Sequence, residues 1–216
     1  MIDILFPKLH KEGYRFLAIA AIATFIFLLI SNFLGIISLI ITVWVYYFFR
    51  DPERFPINDE NYLLSPADGT ISQITEINGP REFGLENKKF TRISIFMNIF
   101  DCHVNRVPSS GKVKQIYYKP GKYINASLDK ASDENERNYI KITNVNGDEL
   151  VLVQIAGLIA RRIFCEIKEN EETKQGDKFG MIRFGSRVDL YFVNYELMIK
   201  KNQKTIAGET IIARKK

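Results

Sequence analysis

At 216 residues the chain suits one domain of ordinary size plus an appendage, and its 46% hydrophobic fraction is concentrated near the N-terminus. The net charge of +5 suits either nucleic acid or an anionic membrane surface, but the basic residues form no aromatic-interleaved stripe and no nucleic-acid motif, so a nucleic-acid partner is excluded. Two histidines, His10 and His103, are too few for a histidine-rich zinc site, no metal is expected, and the distant Cys102 and Cys165 read as reduced cytosolic thiols.

From Phe16 to Phe49 no side chain is charged, and Ser31-Asn32 divides two apolar runs, Phe16–Ile30 and Phe33–Phe49. A spanning helix needs about 20 apolar residues, so each run is marginal alone and the whole is too long for one straight crossing. A tight helical hairpin and a single tilted span with a membrane-embedded flank both fit. Lys8, Lys11 and Arg15 on one side and Arg50 and Arg54 on the other favour a hairpin with both ends cytoplasmic. The bulky Trp44, Tyr46 and Tyr47 argue against a cleaved signal peptide, which leaves a buried core hairpin as the competing reading. The expectation is a membrane-associated helical segment over residues 1–50 and a soluble domain over 51–216 that faces the cytoplasm at the cell membrane.

Beyond Pro56 the pattern becomes short and β-like. Strands are predicted at Gly69–Ile77, Thr91–Ile99, Gly111–Tyr118, Asn138–Thr143, Leu150–Ala156, Gly180–Phe184 and Val188–Asn194, each bounded by turn-forming residues. Asn146-Gly147 signals a hairpin turn between two of them. Arg81–Lys89 and Ala126–Arg137 are polar loops, the second a candidate to sit over a site. The fold class is therefore mainly β, a sandwich or barrel-like domain preceded by an apolar helical hairpin.

Four segments carry candidate chemistry. In Ser65-Pro-Ala-Asp-Gly69, Asp68 stands on a rigid tip where a strand begins; it could orient a base or simply cap a turn. Phe100-Asp-Cys-His-Val-Asn-Arg-Val-Pro108 supplies His103, the one histidine of the soluble part and the side chain best suited to proton transfer near neutral pH. Gln154-Ile-Ala-Gly-Leu-Ile-Ala-Arg-Arg-Ile163 ends in Arg161 and Arg162, fork-shaped donors for a phosphate or carboxylate or else an exposed basic turn. Gly185-Ser186 joins two apolar runs; it is either a strand bend or a place where a serine attacks the open carbonyl of the preceding glycine.

Taken together and in this order, the four segments resemble the phosphatidylserine decarboxylase proenzymes of the short bacterial and archaeal type, archaetidylserine decarboxylases included, over essentially the whole chain. The resemblance implies a pyruvoyl enzyme that matures itself by cleavage between Gly185 and Ser186. Ser186 would become the covalent pyruvoyl cofactor of the small subunit 186–216, held with the large subunit 1–185, and the substrate would be a phospholipid in the membrane. Decarboxylation needs an electron sink, which an α-keto amide supplies. The resemblance also implies Ser186 as nucleophile, Asp68 as orienter, His103 as base or proton donor, and Arg161 and Arg162 as contacts for the lipid phosphate. The chain departs from the long-type pattern at Arg106, where a second histidine is expected. Either His103 then serves both cleavage and turnover, or the cleavage base is not a histidine.

A different class stays in view. Gly176–Ser186 also looks like the hairpins of biotinyl, lipoyl and phosphocarrier domains, and a membrane-tethered carrier or scaffold would remain uncleaved.

Overall fold

The computed structural model describes residues 6–123, 134–157, 162–183 and 186–216. The chain forms two compact units, Met1–Glu53 and Arg54–Lys216.

In the first unit, helices α1 (Tyr14–Ile30) and α2 (Asn32–Phe48) meet at Ser31, whose extended backbone breaks the helical run. The turn is this short because residues on both sides are good apolar helix formers and only Ser31-Asn32 offers a polar break. Close packing of the pair is visible at Gly35, where an added Cβ would stand 2.2 Å from Leu28 Cδ2. Three hydroxyls tie the helices: Thr24 Oγ1 lies 2.9 Å from Ser38 Oγ and 2.9 Å from Thr42 Oγ1. Their polar atoms meet between the helices, and large apolar side chains such as Ile22, Leu29, Phe33 and Ile40 are exposed. Residues Lys11–Ile30 are long and apolar enough to cross a membrane. His10 belongs to this unit, where Nδ1 accepts from the Glu12 N–H and caps a short 3-10 turn.

The second unit is built of antiparallel strands. Its main sheet runs in the order β13 (Lys204–Thr205), β2 (Gly69–Asn78), β3 (Lys89–Met97), β11 (Ser186–Phe192), β7 (Glu149–Ile155), β6 (Arg137–Asn144), β5 (Gly111–Lys119) and β9 (Glu172–Thr173). Two small sheets join it: β1 (Tyr62–Leu64), β14 (Ile211–Lys215) and β12 (Tyr195–Leu197), and β4 (Val104–Arg106), β10 (Lys178–Ile182) and β8 (Ile163–Cys165). Side chains alternate along each strand, so one face of the main sheet carries Ile93, Ile95, Ile140, Ile142, Leu150, Leu152, Val188 and Leu190. These pack with Leu63, Phe179, Ile182 and Ala213 of the small sheets into one core. A second cluster, Phe90, Tyr139, Val151, Val153, Ile155 and Tyr191, lies on the opposite face. The mainly β, sandwich-like class expected from the strand pattern is the observed one, with the helical hairpin at the N-terminal end.

The Asn146-Gly147 turn forms as expected, with Gly147 at φ +81 and its N–H donating to Asn144 O. The structure differs from the sequence pattern at one loop and decides between the two readings of Ser186. Arg81–Lys89 contains a 3-10 turn, Arg81–Phe83, and ends in the first residue of β3. Ser186 is no bend: it is the first paired residue of β11, opposite Met97. Residues 126–133 of the polar loop and Phe184 lie outside the described residues.

Candidate active site

Strand β11 reads Ser-Arg-Val-Asp-Leu-Tyr-Phe, and a period of two separates it into two sets. Ser186, Val188, Leu190 and Phe192 face the core, whereas Arg187, Asp189 and Tyr191 face the other way. The strand lies between β3 and β7 in the middle of the main sheet, so Ser186 is completely buried. Its hydroxyl donates to Met97 Sδ at 3.4 Å. A thioether is a weak acceptor, so this hydroxyl is desolvated without being strongly engaged.

A second donor reaches the same sulfur. Asn105 of β4 points its Nδ2 at Met97 Sδ, 3.7 Å away, and its Oδ1 accepts from Gln154 Nε2 at 2.9 Å. Gln154 Oε1 in turn accepts from Asn138 Nδ2 at 3.0 Å. An unsatisfied buried amide group costs about 1–3 kcal/mol, so these polar side chains persist in an apolar core because they bond one another. The approach of β10 to this network requires a glycine: a Cβ on Gly180 would stand 2.1 Å from Phe164 O and 3.2 Å from Gln154 Nε2.

His103 immediately precedes β4, and its carbonyl accepts from the Ile182 N–H at 3.4 Å, which prolongs the β4–β10 pairing. Two-residue alternation puts the His103 and Asn105 side chains on one side of that strand. The ring is completely buried, with Nδ1 at 2.9 Å from Asp101 O. A carbonyl only accepts, so Nδ1 carries the proton; a general base would need the neutral ring, whose lone pair in this tautomer is on Nε2.

Asp68 stands elsewhere. Thr70 and Arg187 both pair with Phe96, from opposite sides of β3, so two strand spacings, about 9.5 Å, separate their strands. Asp68 precedes Thr70 on the far strand, where Oδ2 accepts from Arg54 Nη2 at 2.7 Å and Oδ1 from the Ala207 N–H at 2.8 Å. Gly69 is needed beside it because a Cβ there would meet Phe96 O at 2.3 Å. Arg162 is exposed just before β8, where its carbonyl accepts from the Arg183 N–H. Arg161 and Gly185 lie outside the described residues. The structure thus groups Ser186, Asn105 and the His103 segment, and sets Asp68 across β3 from Ser186, while the Asp68 turn meets that same segment where the Arg106 N–H donates to Pro66 O at 2.9 Å.

The phosphatidylserine decarboxylase family matches residues 41–213. The chain is 63% identical over 215 residues to a phosphatidylserine decarboxylase proenzyme of Pelagibacter ubique, covering 100% of both chains. It is 50% identical over 211 residues to those of Rickettsia typhi and Rickettsia prowazekii, covering 97% of this chain and 91% of theirs. The chain belongs to the phosphatidylserine decarboxylase family.

In this decarboxylase, features that did not stand out as motifs complete the site. Gln154 was detectable in principle: it follows Leu150 and Leu152 on the core-facing alternation, where a polar side chain must find a partner. Asn138 carries the same signal, two residues before Ile140 and Ile142 on the core-facing alternation of β6, whereas Met97 had none. On the opposite face, Arg187 Nε and Nη2 donate to Asp189 Oδ1 and Oδ2, each at 2.7 Å, directly after Ser186. Burial, with the Asp189 charge adding to it, pushes the neighbouring Tyr191 hydroxyl up to about 12, so it stays protonated and neutral at physiological pH.

Proposed function

We propose that this protein converts phosphatidylserine to phosphatidylethanolamine and CO₂ with a pyruvoyl group made from its own Ser186. The observation that carries the reading is the placement of Ser186, a completely buried hydroxyl at the head of a central strand, weakly held by a thioether. The naming of its relatives as proenzymes supports it.

In maturation, Ser186 Oγ attacks the Gly185 carbonyl carbon and the peptide C–N bond gives way to an ester. Loss of the Ser186 α-proton then expels the Gly185 carboxylate, cutting the chain into 1–185 and 186–216. Water replaces the resulting enamine nitrogen, which leaves as ammonia. The pyruvoyl group would supply a carbonyl for the substrate amine and an electron sink for the pair left on Cα as CO₂ departs. His103 Nε2 is the group assigned to proton movement, on a ring that is completely buried. Asp68 holds Arg54 and the Ala207 N–H at the same end of the sheet, and orients from across β3. Arg161 and Arg162 are the proposed contacts for the lipid phosphate.

The apolar hairpin of residues 1–50 is assigned to the membrane, with the catalytic unit on the cytoplasmic side. Its exposed Leu, Ile and Phe side chains and the positive residues at both ends support this.

Intact mass spectrometry of the wild type, Ser186→Ala and His103→Ala, before and after borohydride reduction, tests the reading. The wild type is expected as two chains with a reducible group at the start of the smaller one, and Ser186→Ala as one chain. His103→Ala is expected to lose phosphatidylserine turnover. An uncleaved, unreactive wild type would refute the pyruvoyl reading and favour a carrier or scaffold; normal turnover by His103→Ala would remove that residue from the mechanism.

A further inference from the structure

The three buried amides beside Ser186 form a chain with a direction. Asn138 donates to Gln154, Gln154 donates to Asn105, and Asn105 directs its own N–H at Met97 Sδ. Their exposures are 3%, 0% and 0%. Each comes from a different strand, β6, β7 and β4, so the chain exists only because the main sheet and a small sheet close over the same core.

The terminal contact is the informative one. Asn105 Oδ1 has a good donor at 2.9 Å, whereas Nδ2 has a thioether at 3.7 Å, and the Ser186 hydroxyl donates to that same sulfur at 3.4 Å. Two donors converge on one weak acceptor. An amide present only to hold the fold gains most by placing its N–H on a carbonyl; this one is held at the sulfur that the Ser186 hydroxyl also contacts.

We propose that Asn105 is the hydrogen-bond donor to the keto oxygen formed at position 186, and that Gln154 and Asn138 are positioning residues that keep its N–H turned inward. The inference rests on the pyruvoyl reading. Conversion of Ser186 leaves a methyl where the hydroxyl competed for the sulfur and puts an oxygen that only accepts on the adjoining Cα, in place of the amide nitrogen. A preorganised donor on that oxygen withdraws electron density from the carbonyl carbon and favours attack by an amine. Gln154 acts through Asn105: without its N–H on Oδ1, nothing distinguishes the two faces of the Asn105 amide.

The test uses full-length wild type, Asn105→Ala and Gln154→Met, with hydroxylamine as a small amine nucleophile. Intact mass reads two quantities, the fraction of chain split before residue 186 and the rate of oxime formation on the small chain. All three proteins are expected to split. Oxime formation is expected to slow by about 100-fold in Asn105→Ala, the scale of losing one oxyanion donor, and by about tenfold in Gln154→Met, where the donor remains but is not oriented. A merely structural role would lower yield or splitting without separating the two readouts. Oxime formation at the wild-type rate in Asn105→Ala overturns the proposal, as does an Asn105→Ala chain that folds but does not split, because the amide then acts before the keto group exists. If Asn105→Ala is insoluble, Gln154→Met decides, and an unchanged rate there overturns the proposal. A wild type that neither splits nor forms an oxime instead refutes the pyruvoyl reading on which the proposal stands.

Discussion

Replacing Asp189 with alanine tests how β11 holds Ser186 in place. The Arg187 fork closes on the Asp189 carboxylate with two contacts of 2.7 Å, and the side chains are only 2% and 1% exposed. Positions two apart on a strand share a face, so the pair stiffens the segment that begins at Ser186. Removing the carboxylate leaves a guanidinium that keeps its charge in dry surroundings, and breaking a buried pair in this way costs about 3–5 kcal/mol. For a domain of this size that corresponds to a fall in Tm of roughly 10 °C. The assay is urea unfolding followed by circular dichroism, in a Ser186→Ala background so that every chain is intact. The companion double variant, Arg187→Met with Asp189→Leu, replaces both charges with apolar groups of similar volume and is expected within about 1 kcal/mol of the parent. A loss below about 1 kcal/mol for Asp189→Ala, or a double variant as unstable as the single one, would refute the argument that an uncompensated buried charge is what destabilises.

Two further outcomes follow from contacts elsewhere in the domain. Gly180→Ala forces a Cβ to 2.1 Å from Phe164 O, so β8 and β10 must separate; a loss of about 1–3 kcal/mol or more is expected in the same unfolding assay, and an unchanged midpoint would contradict it. Glu149 is held below its ordinary value of 4.5 by hydrogen bonds from Lys141 and then Lys88, at 2.7 and 2.9 Å. A folded-state value below the unfolded one means that its contribution is present above about pH 4.5 and is lost as the pH falls through the folded value. Glu149→Gln should therefore be less stable than wild type at pH about 7, by roughly 0.2–1 kcal/mol for each surface ion pair, and the gap should close in acid. A gap independent of pH would show that these pairs do not titrate with folding.

The sequence by itself determined the elements whose signals are local. The charge-free run broken by Ser31-Asn32 specifies two apolar helices, and each predicted strand of the soluble unit ends within two residues of an observed one. Alternation and turn residues act over a few positions, so they are legible without neighbours. The predicted start of β11 at Val188 left Ser186 outside the strand, whereas pairing with Met97 extends the strand back to Ser186. Short strands such as β1 and β4 were not legible, because runs of three residues have no period to read and are defined by partners far along the chain.

The site divides in the same way. Ser186 and His103 were legible as chemistry-bearing residues within a spaced set of motifs. Which groups meet Ser186 was decided only by tertiary structure: strand register sets Asp68 across β3 and gives it Arg54, while β4, β6 and β7 bring Asn105, Asn138 and Gln154 into one chain. The partners of a buried amide have no local signature, since its cost and its compensation depend on atoms supplied by other strands. Sequence pattern therefore specified where the candidate residue Ser186 lies, and the closing of the sheet over its core specified what surrounds it.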